Sequence, residues 1–193
     1  MPDEGTPSSL STLGARIREI RGEQGITLAE LSARAQVSVA MLSHLERGQA
    51  APSLKTLDRL RLALDVPLTA FFQSDESEGS RTVVVRKDRR ARLPLNRHGL
   101  MKELLSPPGH SNLELFMLVL EPGGNSGPEP ITRNGEKAGY VLEGRFELAV
   151  GPERHVLEPG DSFHFDARVP HRFVNLAAGT ARIIWIIKTD VAA

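Results

Sequence analysis

Apolar residues recur at helical spacing through the first third of the chain. Leu13, Ile17 and Ile20 form one set, then Leu28, Leu31 and Ala35, then Leu42 and Leu45, then Leu54, Leu57, Leu60 and Leu64. Residues three and four apart share one helical face, so the pattern predicts four short amphipathic helices. A fifth short helix is predicted over 67–72, with Pro67 in its first turn and Phe71 and Phe72 closing a bundle. Local punctuation agrees. Thr27 is placed to cap the second helix, with Glu30 as the reciprocal partner of a capping box. The chain turns at Gln36-Val37. Ser38 caps the third helix and Gly48 ends it as its C′ residue. Ser53, after the break at Ala51-Pro52, caps the fourth. Beyond Arg81 the period changes. Short runs at 82–86, 113–121, 138–142, 146–150, 161–165, 172–175 and 182–188 are separated by turns such as Pro122-Gly123-Gly124 and Glu158-Pro159-Gly160. Many short strands at this spacing predict a β-sandwich or barrel. Residues 1–12 read as a disordered tail. Residues 74–80, polar and Gly/Ser-containing, read as a linker. The expected organisation is a helical domain at 13–73 and a β domain at 81–190.

Residues 25–48 form two helices joined by a tight turn. That is the helix-turn-helix layout, in which the second helix enters the DNA major groove. Through "GITLAELSARAQVS", "LSHLERG" and "PSLKTLDRLRLALDVPLTAFF", the first third resembles the lambda-repressor-like (XRE) regulators. Through "AGYVLEGRFELAV", "VLEPGDSFHF" and "VPHRFVN", the region 105–190 resembles a cupin. The resemblance implies a five-helix lambda-repressor-like bundle followed by a double-stranded β-helix barrel. It also implies a transcription factor whose barrel senses a metabolite.

Composition narrows the function classes. No apolar run approaches the roughly 20 residues that span a bilayer, and the N-terminus lacks the basic start and apolar core of a signal peptide. The chain holds no cysteine, which excludes disulfides and thiolate metal sites and fits a reducing cytoplasm. Net charge is zero, but residues 13–74 carry 8 basic against 6 acidic side chains. A mild local excess is compatible with DNA binding, because charge placement governs phosphate contact.

For DNA, the first turn of the recognition helix supplies Ser38, Val39, Ala40 and Met41, with Ser43 and His44 one turn on. Exposed apolar groups there suit thymine methyls, and Ser43 and His44 can hydrogen-bond a base or phosphate. Thr27 and Ser38 also sit at helix N-termini, where free N–H groups can hold a phosphate. The plainer reading of Val39 and Met41 is packing against a neighbour. The resemblance aligns Arg21 and Glu46 with a structural ion pair between the first and third helices. The basic run Arg86, Lys87, Arg89, Arg90 and Arg92 reads as a solvated edge strand.

In the barrel the sequence departs from its family. Metal cupins use H-x-H and Glu in a first motif and His in a second. Aligned on Gly144, the Glu position falls on Lys137 and the two His positions on Arg133 and Ile131. Only the last ligand remains, as His171. Ile131 has no donor atom, and cationic Arg133 and Lys137 repel a metal ion, so no metal and no cofactor are expected. Instead Arg133, Lys137 and His171 are expected to converge on an anionic ligand, most simply a carboxylate held bidentate by Arg133. Apolar walls are expected from Ile131, Val141, Phe163, Phe165, Phe173 and Trp185. The alternative is that Arg133 and Lys137 snorkel to solvent at the barrel lip.

The main functional expectation is a cytoplasmic, homodimeric, DNA-binding transcriptional regulator with a metal-free, ligand-sensing cupin. Its partners are then a double-stranded operator and a small-molecule effector. Two other readings stand beside it. Some proteins of this layout are iron-dependent oxidative enzymes, but the ligand set they need is broken here. The barrel can also serve only as a dimerisation module.

Overall fold

A computed structural model of the chain describes residues 9–72, 83–95, 98–107 and 112–190. The expected linker at 74–80 lies outside these residues, as do residues 1–8 of the expected tail. The remainder of that tail is helical: α1 runs Ser9–Glu23, opening ahead of the expected start at residue 13. Three helices follow, α2 (Leu28–Ala35), α3 (Val39–Glu46) and α4 (Leu54–Ala63). Their starts are set by side-chain caps. Thr27 Oγ1 accepts the Glu30 N–H at 3.2 Å, and Glu30 Oε2 accepts the Thr27 N–H at 2.7 Å, a complete capping box. Ser38 and Ser53 accept from the Met41 and Thr56 N–H groups in the same way. Gln36 ends α2 in the left-handed region at φ 52°, and Ser32 Oγ donates to the Val37 carbonyl at 2.6 Å to fix the turn.

The expected fifth helix is a single 3-10 turn, Leu68–Phe71. Four residues after a proline are too few for two α turns; Phe71 and Phe72 are both buried, Phe72 with its ring 5.7 Å from that of Phe116. Arg21 donates to both carboxylate oxygens of Glu46, at 2.7 and 2.9 Å, and to the Ile26 carbonyl at 2.8 Å. The expected ion pair therefore ties α1 to α3 and to the approach to α2.

Nine antiparallel strands follow among the described residues: β1 (Arg92–Leu95), β2 (Leu100–Leu104), β3 (Leu113–Leu120), β4 (Glu136–Glu143), β5 (Phe146–Val150), β6 (Glu153–Leu157), β7 (Ser162–Asp166), β8 (His171–Asn175) and β9 (Ala181–Lys188). A six-stranded sheet of order β1-β2-β3-β9-β4-β7 packs on a three-stranded sheet of order β6-β5-β8. Alternation decides which side chains enter the space between them. Phe116 and Leu118 of β3, Phe146 and Leu148 of β5, and Ile183 and Trp185 of β9 point inward and are buried. Trp185 lies 5.1 Å from Phe163 and 5.2 Å from Phe173, centroid to centroid, so one aromatic cluster bridges the sheets. Gly139 on β4 leaves room for this cluster, since a Cβ there would lie 2.3 Å from the Phe163 ring.

Strands β1, β2 and β6 were not expected, and the strand expected at 82–86 is absent over its described part. Residues 83–86 run as coil with Val83 largely exposed. Nor does the basic run form an edge strand. Lys87–Arg89 is a 3-10 turn; Arg92 enters β1, and both Arg90 and Arg92 pair with Glu103.

Candidate functional site

One end of the barrel interior is polar, which the strand alternation itself dictates. Lys102 lies between inward-facing Leu100 and Leu104 on β2. Glu114 is inward on β3, Lys137 on β4 and His171 on β8, and all four are buried. A buried charge needs a partner, and the partners found differ from those expected. The Arg133 guanidinium does not reach toward Lys137 and His171. It donates to Glu114 at 2.9 Å and to Thr189 Oγ1 at 3.0 Å, and its ion pair with Glu114 is almost wholly buried. Arg133 thus meets a carboxylate of its own chain, but through Nη2 alone rather than bidentately, and its buried Nε has no partner among the described residues.

Lys137 and His171 do meet, with Lys137 Nζ 2.6 Å from His171 Nε2. His171 Nδ1 lies 2.9 Å from the Val169 carbonyl. These contacts fit one tautomer: Nδ1–H donates to the carbonyl and the Nε2 lone pair accepts from the lysine. Burial, and then the neighbouring Lys137, lower the His171 pKa to about 4. Lys137 is held well below its ordinary value, first by burial and then by Lys102 and Arg133. Lys102 is lowered to about 8, mainly by burial and then by Arg133, with Glu114 and Asp58 opposing. Its ammonium lies 4.8 Å from the centroid of the Phe116 ring.

The helical domain closes this end. Leu54, Leu57 and Asp58 of α4 and Leu68 of the 3-10 turn line a cavity of about 30 Å³ together with Lys102, Leu118, Ile131, Lys137, Phe173 and Trp185. That is room for one or two water molecules. Two polar contacts join the domains there, and a third pair lies within α4 at the same place. Glu114 Oε1 accepts the Thr69 N–H at 3.1 Å, Lys55 pairs with Glu129, and Asp58 reaches the cavity while accepting from Arg61 at 2.6 Å.

At the other pole, α3 presents its first turn outward. Ser38, Val39 and Ala40 are exposed, Val39 to 46%. Met41 is half-buried and packs on the bundle core, as the plainer reading had it. Ser43 Oγ accepts from Arg47 at 2.5 Å, and His44 Nδ1 lies 3.0 Å from Gln49. Thr27 is exposed at the N-terminus of α2, its hydroxyl donating to Glu30.

Residues 17–71 match the helix-turn-helix family model and residues 116–187 the cupin domain model. The regulator PuuR of Escherichia coli is 30% identical over 186 residues, covering 95% of this chain and 96% of PuuR. The chain belongs to the XRE-type helix-turn-helix transcriptional regulators that carry a cupin domain. SutR of the same organism, another such regulator, is 24% identical over 84% of this chain and 86% of its own length. A helix-turn-helix regulator from Vibrio cholerae, 22% identical, superimposes with a TM-score of 0.71 over 94% of this chain and 97% of its own, which supports the fold.

The regulator's cupin positions do not fit a divalent ion. Ile131 offers no donor atom; its N–H and carbonyl pair with the His171 backbone at 2.8 and 3.0 Å. Arg133 is bound to Glu114. The one imidazole lone pair a metal would need faces the Lys137 amine. Among the described residues, no three of His, Asp and Glu gather as a metal-holding group.

Of the expected pocket walls, Ile131, Phe173 and Trp185 line the cavity, whereas Val141, Phe163 and Phe165 do not. Val141 is fully buried core. Phe163 and Phe165 are tilted against each other and pack on Trp185, with Phe165 4.9 Å from the His171 ring. Lys102, Glu114 and Asp58 went unrecognised in the sequence. The signal for Lys102 was its place between Leu100 and Leu104, two residues from each on one strand face.

Proposed function

We propose that this regulator is a homodimer that reads an operator through the first turn of α3 and answers to a small anionic effector bound at the polar end of its barrel, without a catalytic step. Thr27, Ser38, Val39, Ala40, Ser43 and His44 are its DNA-facing residues, with Met41 fixing the turn from the core side. Exposure of Val39 and Ala40 supports this, since the bundle core does not use them. The observation that carries the effector reading is the buried Lys137–His171 pair at 2.6 Å. An amine and a neutral imidazole fill the place of a metal site, and a carboxylate offers the acceptor atoms that a buried ammonium lacks. Ile131, Phe173 and Trp185 supply its apolar walls.

Dimerisation follows from the need to engage two half-sites. The outer face of the larger sheet supports it, because Met117, Ile184 and Tyr140 stand in register across β3, β9 and β4.

Calorimetric titration with small carboxylates tests the effector reading. Wild type is expected to bind, and Lys137→Met to lose binding by about tenfold or more. Equal binding by Lys137→Met would overturn it. For DNA, Ala40→Glu adds a negative charge to an exposed helical turn, which is harmless to the helix. It is expected to weaken operator binding in a gel shift by about tenfold or more with the melting temperature unchanged.

A further inference from the structure

The polar end of the barrel is covered by α4 of the DNA-binding domain, and the cover carries a carboxylate. Asp58 lines the cavity beside Lys102 and Lys137, under a lid made apolar by Leu54, Leu57 and Leu68. Lys102 is only 5% exposed, and among the described residues its ammonium meets a ring face and has no hydrogen-bond acceptor. Lys137 spends one N–H on His171 and keeps two. Four basic side chains gather here, Arg61, Lys102, Arg133 and Lys137, against two carboxylates, Asp58 and Glu114. Glu114 is committed to Arg133 and to the Thr69 N–H. Asp58 is bound to Arg61 at 2.6 Å and faces the two amines across the cavity, without an ion pair to either among the described residues. A cavity of about 30 Å³ does not hold an organic acid beneath α4.

We propose that the cavity between the domains is the effector's carboxylate site, with Lys102 and Lys137 as its anchors, and that Asp58 is the lid's own negative charge facing those anchors, which an effector carboxylate displaces, releasing α4 from the barrel. This rests on the anionic-effector reading above and adds to it the anchor Lys102 and a competitor from the DNA-binding domain. Effector binding and domain docking then exclude each other. A filled pocket changes how the two DNA-binding domains of a dimer are held, through differential affinity for the docked and released states.

Succinate and acetate serve as probes, with chloride at equal ionic strength as control. Asp58→Asn keeps the side chain's shape and its acceptor for Arg61 while removing the competing charge. It is expected to bind succinate about tenfold more tightly than wild type, because the competent state is no longer masked. Lys102→Met is expected to abolish binding in both backgrounds. Equal or weaker binding by Asp58→Asn, with wild type binding, overturns the competitor while leaving the anionic effector standing. No carboxylate binding by either protein overturns both. A second arm does not depend on Asp58. The chain has no cysteine, so Lys55→Cys with Glu129→Cys can be joined by a short bismaleimide across the domain contact. The linked protein is expected to lose succinate binding and the unlinked double variant to keep it; equal binding by both overturns the proposal.

Discussion

Burial first, and the Lys137 side chain against its ring nitrogen second, hold the His171 imidazole neutral. His171 titrates at about 4 in the folded chain, against about 6.5 when unfolded. Between those values the unfolded chain binds a proton that the folded chain refuses. Stability therefore falls as pH drops from about 6.5 to 4, and this contribution is constant above that window. Lys137→Met removes the neighbouring positive charge, the second cause of the shift after burial. The His171 titration, followed by its ring proton resonances, is expected to move up from about 4 toward the ordinary range. The acid loss of melting temperature is expected to shrink with it. A His171 titration unchanged in Lys137→Met would show that burial alone sets it. The same accounting explains Arg133. A guanidinium in this interior is tolerable only with a fixed anion, and breaking such a buried pair costs about 3–5 kcal/mol. That is why Glu114, rather than a ligand, holds it.

Close packing of α1 on α3 gives two glycines of one helix opposite roles. A Cβ on Gly14 would lie 2.2 Å from the Leu45 carbonyl oxygen, whereas one on Gly22 would meet nothing within 4 Å. Gly14→Ala is expected to destabilise the protein by about 1–3 kcal/mol through overpacking, despite alanine's better helix propensity. Gly22→Ala is expected to stabilise it by about 0.5–1 kcal/mol. Chemical denaturation of the two variants reads both signs; equal shifts would mean that α1 and α3 are not in contact at Gly14. The helical elements were legible because their determinants are local. Caps at Thr27, Ser38 and Ser53 lie within three residues of the N–H they satisfy. The strands were less so. Strand β2, LMKEL, turns Lys102 inward beside two leucines, a pattern that in sequence looks like surface. Strand β1 contains Pro94, which an edge strand paired on one side accepts. The candidate site suffered most. His171 and Lys137 stood out by alignment with a motif, but Glu114 meets Arg133 from 19 residues away and Asp58 reaches the barrel from another domain. Neither meeting leaves a local trace.

At the scale of the molecule, the α4 and 3-10 segment lies between α3 and the barrel interior, packed on the barrel mouth through Thr69–Glu114 and Lys55–Glu129. Two such units must be held in fixed relation for two α3 helices to enter successive major grooves about 34–36 Å apart. The outer face of the larger sheet is the surface suited to that task. Leu115 stands opposite Ile186, and Met117 opposite Ile184, which faces Tyr140 on β4. Tyr140 and Leu142 are each 44% exposed. Met117 is buried and Leu115, Ile184 and Ile186 are half-buried beside them; an apolar sheet face of this kind suits a protein interface, and in the proposed dimer a self-complementary patch closes into a two-fold. Ile184 lies at its centre, pointing away from the barrel core between inward Ile183 and Trp185. Ile184→Glu therefore puts two like charges together across the dimer axis and leaves the interior untouched. It is expected to sediment as a monomer at micromolar concentration where wild type sediments as a dimer. The single half-site contact that remains is expected to lower operator affinity by about a hundredfold, the loss of avidity from an uncoupled second site. Binding of a small carboxylate is expected to persist, since its site lies within one chain. A dimer retained by Ile184→Glu would move the interface to another face of the molecule.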